Sequence, residues 1–144
     1  MKTNADFWDT SAIIPLCAQQ TATQNFRKLW RKSNRVVVWW GATVEVRSSL
    51  SRLHREGFID AKNLQFALTR FDAMRNQWHE ISPSEKVREI AETLPDLYGL
   101  RALDSFQLAA ALVWCSEKPR GRIFVCDDAR LIEAAKKIGF TVKS

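Results

Sequence analysis

The 144-residue sequence predicts an α/β protein, a three-layer α/β/α sandwich around a mainly parallel central sheet, folded as one domain over residues 1–144. Three observations lead there. Short runs of β-branched and aromatic residues alternate with segments of helical period, and strands separated by helices imply parallel crossovers. The five glycines, at 41, 57, 99, 121 and 139, and the four prolines, at 15, 83, 95 and 119, stand singly between these segments, with no repeat and no Pro/Ser-rich linker. A composition of 46% hydrophobic and 26% charged residues supplies one core and excludes disorder as the main state.

Taken in order, Ala5 to Asp9 reads as a first strand carrying Phe7 and Trp8, and Thr10-Ser11 can cap a helix beginning at Ala12. Thr21 to Ser33 has helical spacing, with Phe26, Leu29 and Trp30 on one side. Arg35 to Trp40 is a second, buried strand that Gly41 ends. Ala42, Val46, Ser49, Leu50 and Leu53 form the stripe of a helix terminated by Gly57, and Asp60 to Trp78 forms another long helix. Glu80-Ile81 is a short strand candidate. Ser82-Pro83-Ser84-Glu85 starts a helix expected to run through Leu94 and stop before Pro95. Leu103 to Glu117 is apolar almost all round from Leu108 onward, as a helix inside the structure should be. Arg122 to Cys126 is a buried strand, Asp127 or Asp128 caps the helix Ala129 to Ile138, and Phe140 to Val142 is a last short strand.

Several function classes drop out. The scattered glycines allow neither G-x-G-x-x-G nor a P-loop, which removes the nucleotide cradles. No apolar run approaches a membrane span, the longest being Leu108 to Cys115, and the N-terminus shows no signal-peptide core, so a soluble, cytoplasmic chain without membrane association is expected. Cys17, Cys115 and Cys126 are an odd number in apolar surroundings without a C-x-x-C pair, which points to reduced thiols. With only His54 and His79 beside them, a Cys/His zinc site finds no support. The 22 Lys+Arg against 16 Asp+Glu give a net charge of +6, which favours a polyanionic partner.

In an open parallel sheet, chemistry sits outside the carboxyl ends of the strands. Asp9 ends the first strand and Asp127-Asp128 end the strand Ile123 to Cys126. Glu45 lies in the first turn after Trp40-Gly41, beside the Ala42/Val46/Leu53 stripe. Asp104 opens the most apolar helix and shares a face with Leu108, Ala111 and Cys115, so it points inward. Any one of these acids is accounted for as a helix cap or as a charge favoured by a helix N-terminus. Four together are harder to tolerate, because carboxylates about 4 Å apart repel by about 1 kcal/mol in water and about 4 kcal/mol at an effective dielectric near 20. A cation would have to compensate. Oxygen ligands without nearby His or Cys suit Mg²⁺ or Mn²⁺, and that points to phosphoryl chemistry.

These residues carry a resemblance. Phe7-Trp-Asp-Thr-Ser-Ala-Ile-Ile14, Val44-Glu-Val-Arg-Ser-Ser-Leu50, Leu100-Arg-Ala-Leu-Asp-Ser-Phe-Gln-Leu-Ala109 and Val125-Cys-Asp-Asp-Ala-Arg-Leu131, ahead of Glu133-Ala-Ala135, form an ordered set. The set resembles the PIN-domain family, most closely its VapC-type toxin ribonucleases, over nearly the whole chain. The resemblance implies an acidic tetrad of Asp9, Glu45, Asp104 and Asp128, with Asp127 beside it as a cap or supporting group. It implies metal-dependent endoribonuclease cleavage with Mg²⁺ or Mn²⁺, an RNA substrate, and a cognate antitoxin protein that covers the site. In that scheme Asp9, Asp104 and Asp128 hold the metal directly or through water, Glu45 is a ligand or orients the attacking water, and Ser11 steadies a carboxylate or a water. Two departures stand out. The family's Thr or Ser two residues before the last aspartate is Cys126 here, a weaker hydrogen-bond donor, and the His that many relatives carry three residues after the third-motif aspartate is Gln107.

From Thr21 to Arg55 there are eight basic residues and one acid. Arg27/Arg31 and Lys28/Lys32 are like-charge pairs at i,i+4, which slightly destabilise a helix, so Arg27, Lys28, Arg31 and Lys32 are candidate RNA contacts against the alternative of a solvated face. Phe66, Phe71 and Trp78, on the helices between Asp60 and Leu94, suggest more apolar surface than a small monomer hides, hence a homodimer. A phosphoacceptor receiver domain fits poorly, because the adjacent acids come last in the chain. A dehalogenase-type phosphatase fits poorly too, because Asp9-Thr10-Ser11 lacks a second acid. Within the same fold the competing readings are an RNA-processing nuclease without an antitoxin and an inactive RNA-binding scaffold.

Overall fold

The computed structural model describes residues 5–144; the first four positions of the expected domain lie outside them. Twelve elements follow one another: β1 (Ala5–Trp8), α1 (Thr10–Cys17), α2 (Thr23–Lys32), β2 (Arg35–Trp39), α3 (Ala42–Arg55), α4 (Ala61–Arg75), β3 (His79–Ile81), α5 (Glu85–Tyr98), α6 (Ala102–Trp114), β4 (Ile123–Val125), α7 (Ala129–Ile138) and β5 (Thr141–Lys143). The strands make one sheet in the order β3-β2-β1-β4-β5, and every pairing is parallel. The expected α/β/α sandwich is therefore present, with a sheet that is parallel throughout.

Alternation along β1 divides the core. Phe7 and Trp8 are both fully buried, and successive strand residues face opposite sides of a sheet. Phe7 stacks on Phe124 and packs with Val87, Ala91 and Leu94 of α5, Leu108 and Leu112 of α6, and Leu131 of α7. Trp8 meets Phe26 and Trp30 edge-on and packs with Ile13 of α1, Val46 and Leu50 of α3, and Phe71 of α4. Helices α1–α4 cover one face and α5–α7 the other. Because β2 lies on one side of β1 and β4 on the other, the connections run in opposite directions away from β1, and a crevice opens between the carboxyl ends of β1 and β4.

Several boundaries differ from the sequence expectation. α1 begins at Thr10 rather than Ala12, capped by the Asp9 side chain, which accepts from the Ser11 amide. α5 runs through Pro95 to Tyr98 instead of stopping before the proline. Pro95 removes only its own donor toward the Ala91 carbonyl, and the helix ends at Gly99, whose φ of 64° is the left-handed conformation that glycine adopts without penalty. α6 stops at Trp114 rather than Glu117, because Ser116 and Glu117 turn left-handed and the Glu117 amide folds back to the Leu112 carbonyl at 2.7 Å. Gly41 after β2 is required for space: a Cβ there would lie 2.6 Å from Trp39 Nε1. Phe71 and Trp78 are buried in the chain's own core and Phe66 alone of the three aromatic residues is exposed, so most of the surface that suggested a dimer is satisfied within one chain. No described helix is long and apolar enough to cross a membrane.

Candidate active site

The crevice beyond β1 and β4 opens into a cleft of about 540 Å³ lined by Asp9, Thr10, Ser11, Glu45, Asp104 and Asp128 among others. Each acid arrives there for a local reason. Asp9 follows β1, where its amide still donates to the Val125 carbonyl at 3.0 Å, and its side chain caps α1. Asp128 follows β4 and caps α7, its Oδ1 accepting from the Leu131 amide at 2.9 Å. Glu45 and Asp104 sit in the first turns of α3 and α6, where the helix dipole favours a negative charge. The capping role and the place in the cleft thus coexist in Asp9 and Asp128.

A set of short contacts ties the ends of β1 and β4 together. Ser11 donates from its amide (3.1 Å) and its hydroxyl (2.5 Å) to Asp9 Oδ2, and its hydroxyl oxygen accepts from the Asp127 amide at 2.9 Å. Cys126 Sγ lies 3.6 Å from Asp9 Oδ2 and 3.5 Å from the Ser11 hydroxyl, and it accepts from the Asp128 amide at 3.3 Å. The thiol that replaces the expected hydroxyl is therefore a junction in this network. Asp127 is exposed, does not line the cleft, and takes part through its backbone. On the far wall, the buried Gln107 amide donates to Thr10 Oγ1 at 3.0 Å and to Glu45 Oε2 at 3.2 Å, while its Oε1 has no partner. An amide thus stands at the position where the resemblance implies an imidazole in many relatives.

The electrostatics follow from burial and from the acids' mutual proximity. Burial pushes Asp9 up to about 6, against the Ser11 hydrogen bonds that lower it, and the charge of Asp104 adds to the rise. Burial and then the charge of Asp9 push Glu45 up to about 8, with Gln107 and Thr10 opposing. Asp104 is raised by burial and by Asp128, and lowered by Arg101 and Arg130. Among the described residues the ion pairs are Lys86–Glu117, Arg88–Glu85 and Lys137–Glu133, so no cationic side chain pairs with any of the four carboxylates.

Sequence reasoning missed part of the cleft. Ser48, Ser49 and Arg52 follow Glu45 at i+3, i+4 and i+7 along one face of α3 and line the same wall, a periodicity visible in the sequence once Glu45 is singled out. Thr10, expected from the sequence only as a cap, lines the cleft as well. Arg27 and Arg31 do not reach the acidic cleft; with Leu16, Trp30, Arg70, Ala73 and Met74 they line a separate recess of about 330 Å³, while Lys28 and Lys32 lie on α2 outside both spaces.

Among the described residues, no three His, Cys, Asp or Glu side chains stand together as a ready-made metal-binding group. The carboxylates share a cleft rather than a tight shell. That arrangement fits a cation that keeps several waters and takes one or two carboxylates directly, which is how Mg²⁺ is usually held. The carboxylate and hydroxyl oxygens of the lining, without His or Cys, suit a hard cation better than a Cys/His zinc set.

No protein-family model matches the sequence, and no curated protein matches it. Solved structures do. A chain of a toxin–antitoxin complex from Klebsiella pneumoniae is similar over 85% of this chain and 86% of its own length, with a TM-score of 0.57 and 17% identity. A chain of VapBC2 from Rickettsia felis, crystallised bound to a DNA fragment from its promoter, is similar over 97% of this chain and 99% of its own, with a TM-score of 0.66 and 12% identity. At such identities the likeness is one of fold. In fold, then, the chain is similar to chains of these two toxin–antitoxin complexes, an α/β domain around a five-stranded parallel sheet.

Proposed function

We propose that the protein is a metal-dependent endoribonuclease, the toxin of a toxin–antitoxin pair, hydrolysing RNA phosphodiesters with Mg²⁺ or Mn²⁺. The observation that carries the reading is the convergence of Asp9, Glu45, Asp104 and Asp128 on one cleft at the carboxyl edge of the sheet, with no cationic side chain paired to them. Asp9, Asp104 and Asp128 would hold the metal directly or through water. When bound, a divalent cation acidifies a water and offsets the charge that builds on the phosphate. Ser11 fixes Oδ2 of Asp9, a residue that lines the cleft. Gln107, braced on Thr10, holds Glu45, which would be a ligand or would orient the attacking water. That water's oxygen would bond to phosphorus as one ester P–O bond breaks, its proton passing to solvent and the departing oxygen taking a proton from solvent.

The toxin assignment, with an antitoxin partner, draws on the fold shared with chains of two toxin–antitoxin assemblies. A homodimer and a cytoplasmic location belong to the same proposal. The decisive experiment compares inducible expression of the wild-type chain with Asp9→Asn, mapping new RNA ends, and repeats the cleavage with purified protein in Mg²⁺, Mn²⁺ and EDTA. Growth arrest and discrete new ends from the wild type alone, abolished by EDTA in the purified reaction, are expected. Equal, harmless behaviour of both chains overturns the nuclease reading and leaves an RNA-binding scaffold.

A further inference from the structure

A second recess, of about 260 Å³, adjoins the acidic cleft and is lined by Arg101, Asp104, Asp128, Ala129 and Arg130. Asp104 and Asp128 line both spaces, so these two carboxylates form the partition between them. Arg101 occupies the cap position of α6 and Arg130 the second position of α7. Both cations therefore stand at the positive ends of their helices, where the macrodipole disfavours them, so helix stability does not account for either. Ion pairing does not account for them, since neither is among the ion pairs of the described residues. Among the described residues, the one hydrogen bond from either guanidinium is long, 3.4 Å from Arg130 to the Gly99 carbonyl. Both are exposed, and apart from that one contact their planar donor sets are free among the described residues.

We propose that Arg101 and Arg130 form a phosphate-binding subsite beside the acidic cleft, which holds the RNA phosphate next to the scissile one. The inference rests on the nuclease reading and adds to it a substrate path: the strand crosses the Asp104/Asp128 partition with one phosphate on each side. Two arginines match the oxygens of a phosphodiester through paired N–H donors, and they offset the repulsion between the strand and the carboxylates it must pass.

The test uses the full chain carrying Asp9→Asn, with Mg²⁺ present, and measures binding of a short single-stranded RNA pool as a function of salt. Arg101→Gln with Arg130→Gln is expected to weaken binding by about tenfold and to flatten the log–log salt slope by about 0.7 for each phosphate that the protein no longer neutralises. Arg101→Lys and Arg130→Lys retain the slope, because the charge remains. Arg120→Gln, on the loop that enters β4 at the opposite edge of the sheet, changes neither quantity. Unfolding temperatures of the Gln variants, measured beside the Asp9→Asn parent, separate lost binding from lost fold. Binding and slope identical to the Asp9→Asn parent overturn the subsite while leaving wild-type cleavage, and hence the nuclease reading, intact. A wild-type chain that cleaves no RNA in Mg²⁺ or Mn²⁺ removes both.

Discussion

The Gln107 side-chain amide of α6 donates to the Glu45 carboxylate of α3 across 3.2 Å, joining the helical layers on opposite faces of the sheet. Its second hydrogen, on Thr10 Oγ1, brings in the start of α1. Gln107→Ala removes a fully buried side chain and leaves Glu45 without this donor. The loss is expected to be about 1–3 kcal/mol, since the orphaned Oε1 disappears with the residue and offsets part of the cost. A fall in the urea midpoint at constant slope, together with reduced cleavage, is the expected result; an unchanged midpoint contradicts the hydrogen bonds described.

Asp9 both caps α1 and faces the cleft, and two substitutions separate these roles. Asparagine caps a helix as well as aspartate does, whereas alanine does not. Asp9→Asn is expected to abolish cleavage while remaining at least as stable as the metal-free wild type, because a buried charge has been removed. Asp9→Ala should be less stable than Asp9→Asn by about 1 kcal/mol. Equilibrium unfolding of the two variants side by side measures the difference.

Burial, reinforced by the neighbouring carboxylates, raises Asp9 to about 6 and Glu45 to about 8. The folded chain therefore binds these protons more tightly than the unfolded chain does. Their contribution to stability is fully present below the unfolded values and is lost as pH rises through the folded ones. Metal-free protein is expected to melt at a higher temperature at about pH 5 than at about pH 8.5, with the difference reduced in Asp9→Asn. Added Mg²⁺ favours the ionised carboxyls, so its stabilising effect should grow with pH. Calorimetry with and without EDTA at several pH values tests both statements.

Cys17, Cys115 and Cys126 are buried and free, and burial pushes each thiol up, Cys17 to about 12. A thiol reagent should react slowly with native protein and with all three cysteines after denaturation. Cys126→Ser places a stronger donor near Asp9 Oδ2 and Ser11, and is expected to change stability by no more than about 1 kcal/mol while preserving divalent-ion binding. Rapid labelling of a native thiol, read by mass spectrometry, would contradict the described packing.

The alternation of strands and helices was legible in the sequence because each element carries its own period and punctuation: Phe7 and Trp8 on opposite faces of β1, the Ala42/Val46/Leu50 stripe on α3, the singly placed glycines. Asp9, Glu45, Asp104 and the pair Asp127-Asp128 were legible because each sits just after a strand or at a helix start, where a parallel sheet gathers its chemistry, and the resemblance singled out Asp128 from that pair. Local signals misjudged ends such as Pro95, since one lost hydrogen bond weighs less than the packing of Leu94 on the sheet.

The sequence by itself determined which residues become strands, helices and acidic helix starts, since periodicity, capping and propensity act over a few neighbours. Only the tertiary structure decided that Gln107 reaches Glu45 and Thr10, that Cys126 joins Asp9 to Ser11, and that Arg101 and Arg130 close one recess while Arg27 and Arg31 line another. Those meetings depend on strand order and helix packing, which bring together residues that share no local pattern.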